Sequence, residues 1–226
     1  TDYGDTWELL FPSPADTVGR SYLGDHADFG WMVRDGASYP PDADGVAAVL
    51  ADPADPAAVY VGLNRSSPEG AFCAVYASRD GGGSWSEVAR LDDGRLAGMF
   101  CSPESAKTLY VFSTGSMAVL DTDTGELRTT GLPEEVTPLA AVSGGATPRT
   151  GRMRFYAVVT PQEQRDGGAF VSHDNGESWL SADSSVAALA EIAPEEVRPS
   201  FNWVSTSSLD SRTAYLVCDR FMDANP

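Results

Sequence analysis

Long apolar runs are missing from this 226-residue chain. None approaches the roughly 20 residues that cross a bilayer as a helix. Nothing at the N-terminus has the order of a secretion signal. Membrane insertion is therefore not expected. Basic residues are scarce, with 15 Lys+Arg against 33 Asp+Glu and a formal net charge of −18. A field of that sign repels phosphate backbones, so nucleic acid is not an expected partner; its plainest meaning is solubility or salt adaptation. The three cysteines, Cys73, Cys101 and Cys218, show no CxxC spacing and no partner His. They sit in apolar, strand-like runs, where a buried thiol is the default and one disulfide with one cysteine left over is the alternative. No metal site is expected. No Gly-rich phosphate loop is present either, because Gly81-Gly82-Gly83 belongs to a hairpin turn. No cofactor is expected.

What the chain does have is a repeated stretch. Ser78-Arg79-Asp80-Gly81-Gly82-Gly83-Ser84-Trp85 returns as Ser172-His173-Asp174-Asn175-Gly176-Glu177-Ser178-Trp179. A copy shortened at its front opens the chain, with Asp2, Gly4, Thr6 and Trp7. The shared pattern is Ser-x-Asp-x-Gly-x-Ser/Thr-Trp. In a tight hairpin the Asp carboxylate accepts backbone N–H groups of its own turn. The Gly supplies the positive φ that closes it. The hydroxyl ties the far strand back, and the Trp buries a large ring under the hairpin. A worn copy, with Asp121, Asp123, Gly125 and Glu126, keeps the Asp and Gly and lacks the Trp. Its start resembles a calcium loop without the distal Glu.

The pattern resembles the Asp-box, or BNR repeat, of sialidases, sortilin-type receptors, xyloglucanases and photosystem II assembly factors. That resemblance implies an all-β fold, a β-propeller of four-stranded antiparallel blades. It implies that the boxes are structural hairpins on the face opposite any active site. It also implies an extracytoplasmic or secreted bacterial protein.

The rest of the chain falls into the same repeat. First strands are expected at 46–50, 97–101, 139–143 and 201–205, and second strands at 58–63, 108–113, 154–159 and 213–218. Each second strand carries a Tyr at its third place: Tyr60, Tyr110, Tyr156 and Tyr215. The runs are short, β-branched or aromatic, and bounded by turn residues. Box Asp residues at 80, 123 and 174 lie 43 and 51 residues apart, a spacing that suits a blade of roughly 40–50 residues. The resulting division is a blade tail at 1–11, an insertion at 12–45, blades at 46–91, 97–130 and 139–183, and a partial blade at 201–226. Propellers close with about 4–8 blades, so the chain reads as a piece of a longer propeller, with the rest of that propeller as its partner. An unusual open or four-bladed closure, with residues 7–10 pairing the C-terminal strands, is the alternative. The run from Thr213 to Arg220 resembles a stretch of bacterial sortilin-like BNR proteins that leads into the next blade's box.

Chemistry is expected on the rim opposite the boxes, where long loops on a rigid scaffold gather. The loop 20–35 offers His26 beside Asp25 and Asp28 for a cation or sugar hydroxyl, with Tyr22 or Trp31 to stack on a pyranose, and Arg34 and Asp35 close by. Its plainer reading is a packed surface loop. The loop 161–167 offers Glu163, Arg165 and Asp166, and the C-terminal run offers Asp219, Arg220 and Asp223; both also read as solvated tips or ion pairs. Glu69 completes the rim carboxylates. His173 sits at a variable place of a box turn and is expected to be exposed. Asn64-Arg65-Ser66 fits a glycosylation sequon on a rim loop.

Two functions fit. One is a sortilin-like recognition module for a glycan or polypeptide ligand, with His26, Trp31, Arg34, Arg165 and Arg220 as ligand contacts. The other is a xyloglucanase- or sialidase-like glycoside hydrolase, whose catalytic carboxylates would come from Asp25, Asp28, Glu163 and Asp166. The Arg-Ile-Pro style motif that opens sialidase domains is absent, as is the Asp-Val-Gly-Gly type segment of xyloglucanases.

Overall fold

The computed structural model describes residues 17–23, 28–33, 46–102, 107–148, 150–159, 167–183, 197–207 and 210–223. Antiparallel strands dominate them, and no helix among them is long and apolar enough to cross a membrane. The chain divides into two compact units, Thr1–Asp92 and Asp93–Pro226.

The first unit holds a hairpin of β1 (Thr17–Leu23) and β2 (Asp28–Val33) and a four-stranded sheet. That sheet runs β3 (Val46–Ala51), β4 (Val59–Ser67), β5 (Gly70–Ser78), β6 (Ser86–Leu91), each strand paired with the next in sequence. The β1–β2 hairpin lies inside the stretch expected to be an insertion without repeat structure. Its register sets Tyr22 opposite Phe29 and Arg20 opposite Trp31. Strand-forming residues such as Val18, Tyr22, Phe29 and Trp31 account for the pairing.

The second unit stacks three sheets. One comprises β7 (Leu96–Cys101), β8 (Thr108–Ser113), β9 (Ser116–Asp121) and β10 (Leu127–Gly131). The next comprises β11 (Leu139–Ala146), β12 (Met153–Val159), β13 (Gly168–Ser172) and β14 (Leu180–Ser181). The last is a pair, β15 (Val197–Thr206) with β16 (Ala214–Asp223). Each four-stranded sheet is an up-and-down meander, the architecture of a propeller blade.

Strand alternation decides which residue meets which sheet. On β12, Phe155, Ala157 and Val159 join the cluster that also holds Tyr110, Phe112 and Trp179. The intervening Val158 and Tyr156 belong instead to the cluster with Phe201 and Val204 of β15. One strand therefore feeds two cores, one on each face. The first core is aromatic, with Phe155 edge-on to Phe112 at 4.8 Å and to Tyr110 at 5.3 Å between centroids. Full burial of each such ring contributes about 1.5–3 kcal/mol.

Candidate functional site

The hairpins at 78–85 and 172–179 are tied together by their own side chains. Ser78 Oγ donates to Asp80 Oδ1 at 2.7 Å and accepts the Gly82 N–H at 2.8 Å. Ser84 donates its N–H to Asp80 Oδ1 at 2.9 Å and its Oγ–H to Oδ2 at 2.7 Å. Hydrogen bonds from Ser78 and then Ser84 hold the Asp80 carboxyl at about 2, well below the usual carboxylate range. The second hairpin repeats this network. Gly176 N–H donates to Ser172 Oγ at 2.9 Å, and Ser178 N–H to Asp174 Oδ1 at 2.9 Å. Burial raises the Asp174 pKa, and the bonds from Ser178 and Ser172 outweigh it, so the net shift is downward. Both carboxylates are consumed by their own turns. They offer no general base to a ligand.

Each hairpin is also tied to the first-to-second connection of its own sheet or to the first residue of the second strand. Gly81 N–H donates to Ala57 O at 3.0 Å, Thr122 N–H to Lys107 O at 2.8 Å, and Asn175 N–H to Met153 O at 3.1 Å. One rim of each sheet therefore carries both kinds of turn. In the worn copy the roles are redistributed. Asp121 Oδ1, standing where the other copies have Ser, accepts the N–H groups of Asp123 (3.0 Å) and Thr124 (2.8 Å). The Asp123 side chain turns outward to Lys107. Gly125, at φ +75°, closes this turn.

The other rim of the first unit carries a concave site. β5 starts at Gly70 and ends at Ser78, so its two ends lie roughly 27 Å apart at the rise of an antiparallel strand. At the far end, Pro68 and Glu69 form a two-residue turn between the paired Ser67 and Gly70. Gly70 has φ +139°, a conformation that favours glycine. The β4–β5 hairpin overhangs its neighbour, because β6 stops at Leu91 opposite Cys73. Beside the overhang a cavity of about 300 Å³ is lined by Glu69, Gly70, Phe72, Arg90 and Asp92. The Arg90 guanidinium lies over the Phe72 ring, 3.8 Å from its centroid. Its Nε donates to Asp92 Oδ1 at 2.6 Å. Asp92 thereby raises the Arg90 pKa further above its ordinary value. A planar cation laid on a ring and flanked by carboxylates can offer a stacking plane together with hydrogen-bond donors and acceptors.

Solved structures share this fold. A GH74 xyloglucanase from Xanthomonas campestris matches with a TM-score of 0.53 at 19% identity, over 84% of this chain and 28% of that one. An ancestral GH74 enzyme matches with a TM-score of 0.52 at 12% identity, over 80% of this chain and 25% of that one. The chain thus spans about a quarter of the length of these enzymes. At such identities the likeness is one of fold. No protein-family model matches the chain, and a comparison with curated proteins gives no match.

The sequence-stated rim candidates distribute unevenly over the structure. Asp25, His26, Arg34, Asp35, Glu163, Arg165 and Asp166, with Asp2 and Trp7 of the first box copy, lie outside the described residues. Asp28 and Trp31 are on β2, and Asp219, Arg220 and Asp223 are on β16, where Arg220 pairs with Ser200. Glu69 is the rim carboxylate that reaches the cavity. Its companions Phe72, Arg90 and Asp92 were not singled out from sequence. Asn64 lies within β4, opposite Cys73, rather than in a loop. Among the described residues no group of three or more His, Cys, Asp or Glu side chains could hold a metal ion.

Proposed function

We propose that this chain is part of a BNR/Asp-box propeller of the sortilin-like class, acting as an extracytoplasmic recognition module. It takes a glycan on the rim opposite its box hairpins. The observation that carries this reading is the contrast between the two ends of β5. At one end the carboxylate of Asp80 is committed to its own turn. At the other, Glu69, Phe72, Arg90 and Asp92 converge on one cavity. Sites for small ligands are concave, with an apolar or aromatic wall and a few placed polar groups. The Arg90–Phe72 stack offers such a wall, and carboxylates accept hydrogen bonds from sugar hydroxyls.

The test is binding of xylogluco-oligosaccharides and sialyllactose, measured by calorimetry on the protein and on its Glu69→Ala and Arg90→Ala variants. Saturable binding that both variants lose supports a glycan site. Binding that both variants retain overturns its placement, and binding of peptides instead would move the reading to polypeptide recognition.

A hydrolase is the second reading, favoured by two carboxylates, Glu69 and Asp92, lining the same cavity. Glycosidases set their carboxyl pair roughly 5–5.5 Å or 6.5–9.5 Å apart. Against that role, one oxygen of Asp92 is already bound to Arg90. Release of reducing sugar from xyloglucan, abolished by Glu69→Gln, would favour the enzyme over the binding module.

A further inference from the structure

The cavity beside the β4–β5 hairpin has a charge imbalance that bears on which sugar it takes. Its lining holds two carboxylates, Glu69 and Asp92, against one guanidinium, Arg90. One negative charge is therefore in excess. Glu87 adds to it from β6, where it accepts the Tyr76 hydroxyl at 3.0 Å, and its charge, like that of Asp92, raises the Arg90 pKa. Arg90 itself is held twice. Its guanidinium lies over Phe72, and its Nε donates to Asp92 Oδ1. Among the described residues its two Nη groups and Asp92 Oδ2 make no hydrogen bond. The site thus offers fixed N–H donors beside a charged acceptor. A ligand carboxylate placed here doubles the excess negative charge, within a chain of formal charge −18. Arg90 does not compensate it, because Asp92 already neutralises that guanidinium. A ligand ammonium cancels the excess. Like charges facing each other exclude a partner, while opposite ones steer it in.

We propose that the cavity selects an amino sugar, whose protonated amine is held by Asp92 and Glu69 and whose hydroxyl oxygens accept the Nη–H groups of Arg90. This rests on the glycan reading above and adds to it the charge of the sugar. At about 300 Å³ the cavity is at the small end of ligand sites, so it takes one ring of an oligosaccharide. Neutral sugars keep the hydrogen bonds to Arg90 and lose the ion pair, and acidic sugars meet the excess negative charge.

Calorimetry with three tetrasaccharides tests this: a glucosamine tetramer, its N-acetylated counterpart of the same linkage, and a tetragalacturonate. At a pH where the amine is protonated, the glucosamine tetramer should bind about tenfold tighter than the acetylated one, and the tetragalacturonate should not bind. Raising the pH until the amine is neutral should remove the advantage on the same oligosaccharide. Glu69→Gln and Asp92→Asn should each shrink the gap to about twofold or less. Glu126→Gln takes the same charge from a box turn and should leave the gap as it was. Equal binding of the charged and acetylated tetramers, tighter binding of the tetragalacturonate, or a gap that Glu126→Gln narrows as much as Asp92→Asn would each overturn the assignment. In those three cases a sugar is still bound, so the glycan reading stands. Absence of binding by these tetramers and by the neutral sugars named above would sink that reading and the amino-sugar assignment together.

Discussion

The hairpins at 78–85 and 172–179 share one hydrogen-bond network and differ in what their tryptophans do. Trp85 is half-buried, and its indole N–H donates to Gly82 O at 3.1 Å, inside its own turn. Trp179 is 8% exposed and meets Phe112 of the neighbouring sheet edge-on at 6.3 Å. Its Nε1 has no hydrogen-bond partner among the described residues. One ring therefore finishes a local turn. The other gives up its hydrogen bond, at a cost of about 1–3 kcal/mol for a buried donor, and fills the core between two sheets. The same motif is a local staple in one place and an inter-sheet rivet in another. The motif fixes the turn, and the surroundings fix where the energy of the ring is gained.

The largest expected effect follows from that division. Trp179→Ala leaves a void against Phe112 and the cluster around Phe155, and should destabilise the second unit by about 3–5 kcal/mol. Trp85→Ala should cost clearly less, on the order of 1–2 kcal/mol, because it removes a half-exposed ring and one local hydrogen bond. Urea unfolding of the two variants measures both. Equal losses would erase the distinction between staple and rivet.

A second test separates carboxylates rather than rings. The Asp80 carboxyl sits at about 2 against an ordinary 3.8. Because the folded value is depressed, its contribution is present above about pH 4 and fades as the pH falls toward 2. The carboxyl carbon resonance of Asp80 should titrate near pH 2, and Ser78→Ala should move that midpoint upward, since Ser78 is the largest cause of the shift. The residue is exposed, so global stability should change little. Asp174 also titrates below the ordinary value, but there burial opposes its hydrogen bonds. A midpoint for Asp80 at the ordinary carboxylate value would show that the network does not hold in solution.

These contrasts also mark what the chain's letters carry. The four-stranded sheets and the two intact hairpins are legible because strand alternation and turn chemistry are local rules, and Ser-x-Asp-x-Gly states the turn outright. The second-strand tyrosines are legible as a recurrence at 60, 110, 156 and 215, but the packing of Tyr110 and Tyr156 against the following sheet needs the sheet stacking. The β1–β2 hairpin escaped because it matches no repeat, although Tyr22, Phe29 and Trp31 are good strand formers. The exchange of roles between Asp121 and Asp123 escaped because either carboxylate can satisfy the pattern, and only the turn geometry decides. The cavity escaped for a different reason. Glu69 and Phe72 are some twenty residues from Arg90 and Asp92, and register along β5 and β6 brings them together. Attention drawn to long charged loops passes over a two-residue turn.

The smallest expected effect probes the hairpins at one backbone position. Gly81 has φ +70° and its counterpart Asn175 has φ +65°. Gly81 N–H donates to Ala57 O in the first-to-second connection of its sheet, and Asn175 N–H to Met153 O at the start of β12. Asn175 goes further, since its Oδ1 accepts the Met153 N–H at 2.8 Å. A Cβ at Gly81 would meet nothing within 4 Å, so for alanine space is no obstacle and only the left-handed backbone matters. Alanine there should cost about 1–2 kcal/mol, the penalty of a Cβ in that conformation. Asparagine tolerates the conformation and narrows the unfolded ensemble relative to glycine. Gly81→Asn should therefore leave the first hairpin within a few tenths of a kcal/mol of its starting stability. The reverse change, Asn175→Gly, should cost more, because it removes the bond to Met153. If the two exchanges proved equal in size, the side-chain tie of Asn175 would carry no weight, and the hairpins would differ only in their tryptophans.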